Sequence, residues 1–326
     1  MMTMKRTIAL ITGGYSNEAA ISYKSAASVF EHIDSEKWNC HIIDIHKNGW
    51  FYMNENEIQS EVDKNDFSIR INNEIITFEL AFICLHGTPG EDGKIQGYLD
   101  CLNIPYTSSS SVNSAIMCNK HFTVAIASHN GINVSKSIKL HNDDTALILN
   151  QLILPVFVKP NSGGSSIGTC KVMHSDELCA ALEVAFKEDD EVLVEEFVDG
   201  REFTVGVIKL KTGILVLPIT EIVSENAFFD FKAKYEGASH EITPAIITQE
   251  MSDKLIHSSK LVYEIFDCKG IIRIDYIYSK TRNVPIMLEV NAIPGQTKHS
   301  VIPQQVSAMG WNLKDFYSTI IENALD

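Results

Sequence analysis

The chain of 326 residues is 45% hydrophobic and 21% charged, and its 42 acidic side chains against 27 basic ones leave a net charge of -15. That length corresponds to roughly two to three domains of about 100–200 residues, and the composition excludes a disordered or fibrous chain. The acidic excess excludes general affinity for nucleic acid or anionic lipid, which clustered lysine and arginine carry. Seven cysteines, at 40, 84, 101, 118, 170, 179 and 268, form no CxxC pair, and are expected as reduced core thiols of a cytoplasmic protein.

Near the N-terminus a five-residue apolar core, Ile8-Ala-Leu-Ile-Thr12, is too short for a signal peptide and predicts a first strand at 7–12. It ends at Gly13-Gly14, and a helix at 18–30 and an apolar run at 40–45 follow, the opening of a parallel α/β unit. A hairpin is expected from 68–71 and 75–78 around Asn72-Asn73, then a buried strand at 80–85, a helix at 92–102 and a strand at 104–107. Beyond residue 110 the spacing predicts a helix at 119–128 and a strand at 155–159. Ser175, Asp176 and Glu177 suggest a cap and first turn for a helix reaching Phe186, followed by a strand at 191–197. Strands at 202–208, 214–218, 270–277 and 285–291, a helix at 252–265 and a final helix capped by Asn312 complete three α/β units, at 1–110, 111–196 and 197–326. The longest apolar tract, 146–158, is interrupted by Asn150, Gln151 and Pro155, so no membrane span is expected.

The strongest local motif is Val158-Lys-Pro-Asn-Ser-Gly-Gly-Ser-Ser-Ile-Gly168. A lysine at a strand end before a loop of small residues offers backbone N–H groups and a point charge to a phosphate, although such a loop alone is more often an ordinary turn. Two later strands strengthen the reading. Arg273 and Asp275 share one face of their strand, and Glu289 and Asn291 share one face of theirs. If the strands are neighbours, a guanidinium, two carboxylates and an amide converge, a donor set suited to Mg²⁺ shared with nucleotide phosphates. Both strands are otherwise strongly apolar, which disfavours a plain solvated salt-bridge ladder.

These blocks, with Gly13-Gly-Tyr-Ser-Asn-Glu18, Ser22, Leu85-His-Gly-Thr-Pro-Gly-Glu-Asp-Gly-Lys-Ile-Gln-Gly97, Val192-Leu-Val-Glu-Glu-Phe-Val198 and Phe228-Phe-Asp-Phe-Lys-Ala-Lys-Tyr235, resemble the D-alanine–D-alanine ligase family of ATP-grasp enzymes from about residue 8 to 303. The resemblance implies an ATP-grasp fold of two lobes preceded by an N-terminal parallel α/β domain. It also implies ATP-driven joining of two D-alanines through an acyl phosphate for peptidoglycan precursor synthesis, the alternative being D-serine or D-lactate as second substrate.

Carried over, Lys120 and Lys159 would contact the α/β phosphates of ATP, Ser165 and Ser166 would cover the β/γ phosphates, and Lys234 would reach the transferring phosphoryl group. Glu195 and the Val198 backbone would read adenine, and Glu202 would bind the ribose. Asp275, Glu289 and Asn291 would hold two Mg²⁺ ions, with Mn²⁺ as substitute. Glu18 would bind the first D-alanine's ammonium beside His86, Ser300 and Val301 the second's carboxylate, and Arg273 and the Gly295 N–H the developing oxyanion. Tyr235, in a lid at about 224–239, would bond Ser165, itself tied to Glu18. A homodimer formed through the N-terminal domain is also implied. Ala292, Ile293, Gln296 and Ser162-Gly163 depart from the usual pattern of relatives.

Overall fold

The computed structural model describes residues 5–54, 57–164, 166–224 and 239–325. The N-terminal sheet contains β1 (Arg6–Gly13), β2 (Trp38–His46), β3 (Gly49–Asn54), β4 (Glu57–Glu61) and, after a small hairpin, β7 (Leu80–Ile83). Its order is β4-β3-β2-β1-β7, with β1 parallel to both neighbours and β3 and β4 extending the edge antiparallel. Ile8 to Ile11 are fully buried because helices cover both faces of the parallel centre, and such strands read as continuous apolar runs. The hairpin pairs β5 (Ile69–Ile71) with β6 (Glu74–Ile76) through Asn72 and Asn73, both with positive φ, as a two-residue turn with twist-matched strands requires.

A second sheet, ordered β10-β9-β11-β8, is antiparallel throughout and consists of β8 (Ser137–Leu140), β9 (Val156–Pro160), β10 (Cys170–Val172) and β11 (Val192–Glu196). The third sheet contains β12 (Gly200–Leu210), β13 (Gly213–Val216), β14 (Thr220–Ser224), β15 (Ser239–Ile242), β16 (Ile271–Ser279) and β17 (Pro285–Asn291). Its order is β15-β14-β12-β16-β17, with β13 on β12. The expected strands and main helices are present, except that 104–107 forms only an isolated parallel bridge of Tyr106 to Ala81 beside β7. Before the helix Leu178–Phe186, however, Ser175–Glu177 is a 3-10 turn. Its capping contact comes from Glu177, whose carboxylate accepts from the N–H groups of Met173 and His174. Asn312 caps the last helix as expected, accepting from the Asp315 N–H.

The apolar cores do not follow the sheets one for one. One cluster joins Ile43 and Phe67 of the N-terminal part to Phe203, Leu255 and Tyr276 of the third sheet and its helix. A second joins Ile8, Leu10 and Phe82 to Ile302, Phe316 and Tyr317. The second sheet has a separate core of Leu140, Val156, Val158, Leu182, Val192 and Val194. The cysteines are all free, but the expectation of core thiols holds only in part: Cys84 and Cys268 are buried, whereas Cys101 and Cys179 are exposed on helical surfaces. Among the described residues no helix is long and apolar enough to cross a membrane.

The helix Val301–Ala308 sits on β12 through a buried amide. Gln305 accepts from the Gly206 N–H at 3.0 Å and donates to the Thr204 carbonyl at 3.1 Å and to Thr220 Oγ1 at 3.0 Å. The approach is close enough that a Cβ on Gly206 would lie 2.5 Å from Gln305 Oε1 and 2.7 Å from Ile302 Cδ1. Gly206→Ala is therefore expected to lower stability by about 1–3 kcal/mol through overpacking. Chemical denaturation checks this, the expected result being a lower midpoint with an unchanged slope.

Candidate active site

The register of β16 on β17 builds the centre of the site. Arg273 lies opposite Asn291 and Asp275 opposite Glu289, so the four polar side chains share one face. Ile272, Ile274 and Tyr276 are buried on the other face. Arg273 donates to both Asp275 oxygens, Nε to Oδ1 at 3.0 Å and Nη2 to Oδ2 at 2.8 Å. From β12, Thr204 Oγ1 donates to Asp275 Oδ1 at 2.6 Å. Burial works against the charge on Arg273, but the adjacent Asp275 carboxylate outweighs it, helped by Glu289 and Glu91, and holds the guanidinium more firmly protonated than usual. Asn291 Oδ1 accepts from the Ile293 N–H, which fixes the chain as it leaves the sheet.

A cavity of about 430 Å³ opens between the second and third sheets against this face. Of the residues expected at a nucleotide site, it is lined by Lys120, Lys159, Ser166, Glu195, Val198, Glu202, Asp275 and Glu289. Lys159 and Glu195 stand on adjacent antiparallel strands, 8% and 6% exposed, and form an ion pair of 2.7 Å. Lys120, in the first turn of the helix Lys120–His129, donates from Nζ to the Gly163 carbonyl at 2.5 Å. The Gly/Ser loop thus begins beside a lysine from a different element. Ser166 has a φ of 57°. Among the described residues no three His, Cys, Asp or Glu side chains form a metal cage; the convergent oxygen donors are two carboxylates and an amide.

Beyond the cavity the remaining expected residues form a second cluster. Glu18 ends the loop that follows β1, at the start of the helix Ala19–His32. A Cβ on Gly87 would lie 2.8 Å from its Oε2, and one on Gly164 2.8 Å from its Oε1, so the carboxylate is wedged between two glycine loops. His86, 6% exposed, pairs its Nε2 with Ser25 Oγ at 3.0 Å and places Nδ1 3.6 Å from Glu91 Oε1. Ser25 Oγ in turn accepts from the Gln296 N–H at 3.2 Å, linking His86 to the loop after β17. The other ring nitrogen, Nδ1, is thereby turned toward Glu91.

In that loop Gly295 lies against Ser300, whose Oγ a Cβ at 295 would approach to 2.8 Å. Ser300 is the N-cap residue of the helix Val301–Ala308, but its hydroxyl bonds back to Thr297 N and Oγ1 rather than capping, so the first-turn N–H groups beginning at Val301 have no side-chain cap. The departures at 292, 293 and 296 fit the packing. Ala292 and Ile293 are buried, and Gln296 donates to the Pro294 carbonyl and accepts from the Tyr317 hydroxyl. Ser165 of the phosphate loop, and Lys234 and Tyr235 with residues 225–238 of the expected lid, lie outside the described residues.

Sequence reasoning quoted Glu91 within a motif and gave it no role, and it overlooked Ser25, Thr204 and the Arg201–Glu221 pair on the cavity wall, 2.6 Å apart. The alternation of Thr204 with Glu202 along an apolar strand was the available signal for Thr204.

Comparison with known proteins matches residues 7–109 to the family described as D-ala D-ala ligase N-terminus and residues 119–322 to D-ala D-ala ligase C-terminus. A D-alanine–D-alanine ligase of Flavobacterium johnsoniae is 45% identical over 98% of this chain and 99% of its own length. Among solved structures, a D-Ala:D-Ser ligase from Enterococcus faecalis aligns with a TM-score of 0.87 at 30% identity, covering 98% of this chain and 100% of that one. A D-alanine–D-alanine ligase from Bacillus anthracis aligns at 0.79 and 30%, covering 98% and 97%. With two convergent carboxylates, a guanidinium and a lysine-lined cavity held on an ATP-grasp fold, and with matches that span nearly all of its length, the chain belongs to the D-alanine–D-alanine ligase family, whose members use ATP.

Proposed function

We propose that the chain joins two D-alanine molecules into D-alanyl-D-alanine for peptidoglycan precursor synthesis, converting ATP to ADP and phosphate. The observation that carries this reading is the pairing of Arg273 with Asn291 and of Asp275 with Glu289 at the wall of a cavity that also receives Lys120 and Lys159. D-alanine is preferred to D-serine as second substrate because the relatives at 40–45% identity are named D-alanine–D-alanine ligases, whereas the D-serine enzyme is at 30%. A cytoplasmic homodimer joined through the N-terminal unit, and division at 1–110, 111–196 and 197–326, belong to the same reading and rest on the family resemblance.

In this reading Glu195, the Val198 backbone and Glu202 hold the adenosine, and Lys120, Lys159 and the loop residues Ser165 and Ser166 hold the phosphates, with Lys234 reaching the group in transfer. Glu18 receives the first D-alanine's ammonium, and His86 flanks the carboxylate that takes up the γ-phosphoryl group. The resulting acyl phosphate is attacked by the second D-alanine's amine, whose carboxylate sits at Ser300 and Val301. Phosphate leaves as the amide forms. Arg273 and the Gly295 N–H face the oxyanion of that step, interactions of a kind worth roughly 3 kcal/mol per donor. Tyr235 and Ser165 help exclude water, since an acyl phosphate must be shielded from hydrolysis.

Asp275, Glu289 and Asn291 fit Mg²⁺, which takes one or two carboxylates and fills its octahedron with phosphate oxygens and water rather than a full protein cage. Bound there, two such ions, or Mn²⁺, would neutralise charge on the transferring phosphoryl group.

Purified protein given ATP, Mg²⁺ and D-alanine is expected to release ADP and phosphate and to yield a product with the mass of the dipeptide. Absence of ADP above background would refute the ligase reading, and a panel in which D-lactate dominates as second substrate would refute an amine preference. Glu289→Ala is expected to lower turnover by at least about 10³-fold, in line with the loss of several kcal/mol of charge stabilisation, while circular dichroism and melting stay near wild type. Near-normal turnover in that variant would contradict the metal assignment.

A further inference from the structure

The Gly/Ser loop is held at its start by a polar joint that none of the roles above requires. Asn161, the residue after β9, is fully buried. Its Nδ2 donates to Glu191 Oε2 at 2.8 Å, and its Oδ1 accepts from the His121 N–H at 2.9 Å. Its own N–H donates to the Glu191 carbonyl at 2.9 Å, and its carbonyl accepts from the Lys120 N–H at 3.0 Å. The next residue is held likewise, since the Ser162 N–H donates to Asp189 Oδ2 at 2.6 Å. On its other side Glu191 accepts from Lys139 Nζ at 2.6 Å.

This joint lies where two cores meet. Met117 and Ala127, on either side of Asn119 and Lys120, belong to the core that includes Phe203 and Tyr276. Val158, Val192 and Val194 belong to the separate core of the second sheet. Asn161 is thus bonded on one side to the acidic turn of the small sheet and on the other to the backbone of the helix that carries Lys120. Resting on the phosphate-loop reading above, we propose that Glu191, acting through Asn161, is a positioning residue that sets the Gly/Ser loop against Lys120 for nucleotide binding. Glu191 touches no substrate in this assignment. The bond from Lys139 first, and then its charge, hold the Glu191 carboxyl below the usual range against some burial, which keeps both oxygens available as acceptors.

Glu191→Gln tests this with little change of shape. Its side chain has one acceptor and one donor in place of two acceptors, so it cannot satisfy both Lys139 and Asn161. Steady-state kinetics on the full chain are expected to show the KM for ATP rising about tenfold, the equivalent of 1.4 kcal/mol, with the D-alanine KM and kcat within about twofold of wild type. Asn161→Ala is expected to do the same, and the double variant to be little worse than either single one, as members of one network are non-additive. An ATP KM within about twofold of wild type in both single variants would overturn the proposal. So would an equal rise in the D-alanine KM, or a Glu191→Gln chain that no longer melts cooperatively, since either would make Glu191 a general structural prop. If the wild-type chain itself turned over no ATP, the ligase reading would fail instead.

Discussion

The register between β16 and β17 is the constraint on which the site depends. Side chains alternate strictly along a strand, so a slip of one residue would send Asp275 and Glu289 to the core face and Ile274 and Val290 toward the cavity. The core prevents that slip. Ile272, Ile274, Tyr276 and Val290 are packed against the helix Gln249–Ile265 and its neighbours, and turning them outward would expose several large side chains at about 1.5–3 kcal/mol each. Beyond Asp275 the pairing shifts, with Tyr276 opposite Met287, which leaves Leu288 as the extra residue of a bulge. Bulges re-aim side chains, and Leu288 joins Glu289 on the cavity wall. The apolar half of the two strands therefore holds the polar half in place.

The second constraint is electrostatic. A chain of net charge -15 places cations at a partly buried cavity, and three of them are matched by carboxylates: Lys159 by Glu195, Arg273 by Asp275, Arg201 by Glu221. Removing one member of such a pair leaves a desolvated charge, which is why the pairs matter more than their net contribution to stability. Under the proposed function the same pairing suits a highly charged ligand, because a nucleotide accompanied by divalent cations is itself nearly balanced and enters without demanding a strongly positive pocket.

The parts of this arrangement legible in the sequence were those written as local period. Alternation along 271–277 and 285–291 placed Arg273 with Asp275 and Glu289 with Asn291, and the structure supplied the adjacency that period alone leaves open. The Asn72-Asn73 hairpin and the Asn312 cap were equally readable, because turn and cap chemistry is confined to a few residues. Contacts between elements distant in sequence were not readable. Ser25 meets Gln296 across 271 positions, and Asn161 meets His121 across 40. Edge strands β4, β8, β10 and β15 were overlooked because short strands with mixed, partly exposed patterns resemble loops, as Glu57–Glu61 does, and β3 and β14, which lie inside their sheets, were overlooked too. The role given to Ser175 failed for a related reason: Glu177 competes for the same N–H groups with a longer and charged side chain.

The division of the cores explains why polar joints rather than apolar packing govern the cavity. The N-terminal part and the third sheet share two clusters, so Glu18, His86 and the β16–β17 face are fixed to one body. The second sheet keeps its own cluster and meets that body through hydrogen bonds that include the Met287 N–H to the Asn133 carbonyl, just ahead of β8, and the bonds around Asn161. Polar contacts of this kind exchange with water at small net cost, about 0.5–1.5 kcal/mol each, whereas separating a shared core would expose apolar area at about 25 cal/mol per Å². Because the second sheet has a buried cluster separate from those of that body, its seat over the cavity rests largely on the bonds at the joint. Those bonds join the backbone at Lys120 to the first residue of the Gly/Ser loop, which follows directly on the strand that carries Lys159.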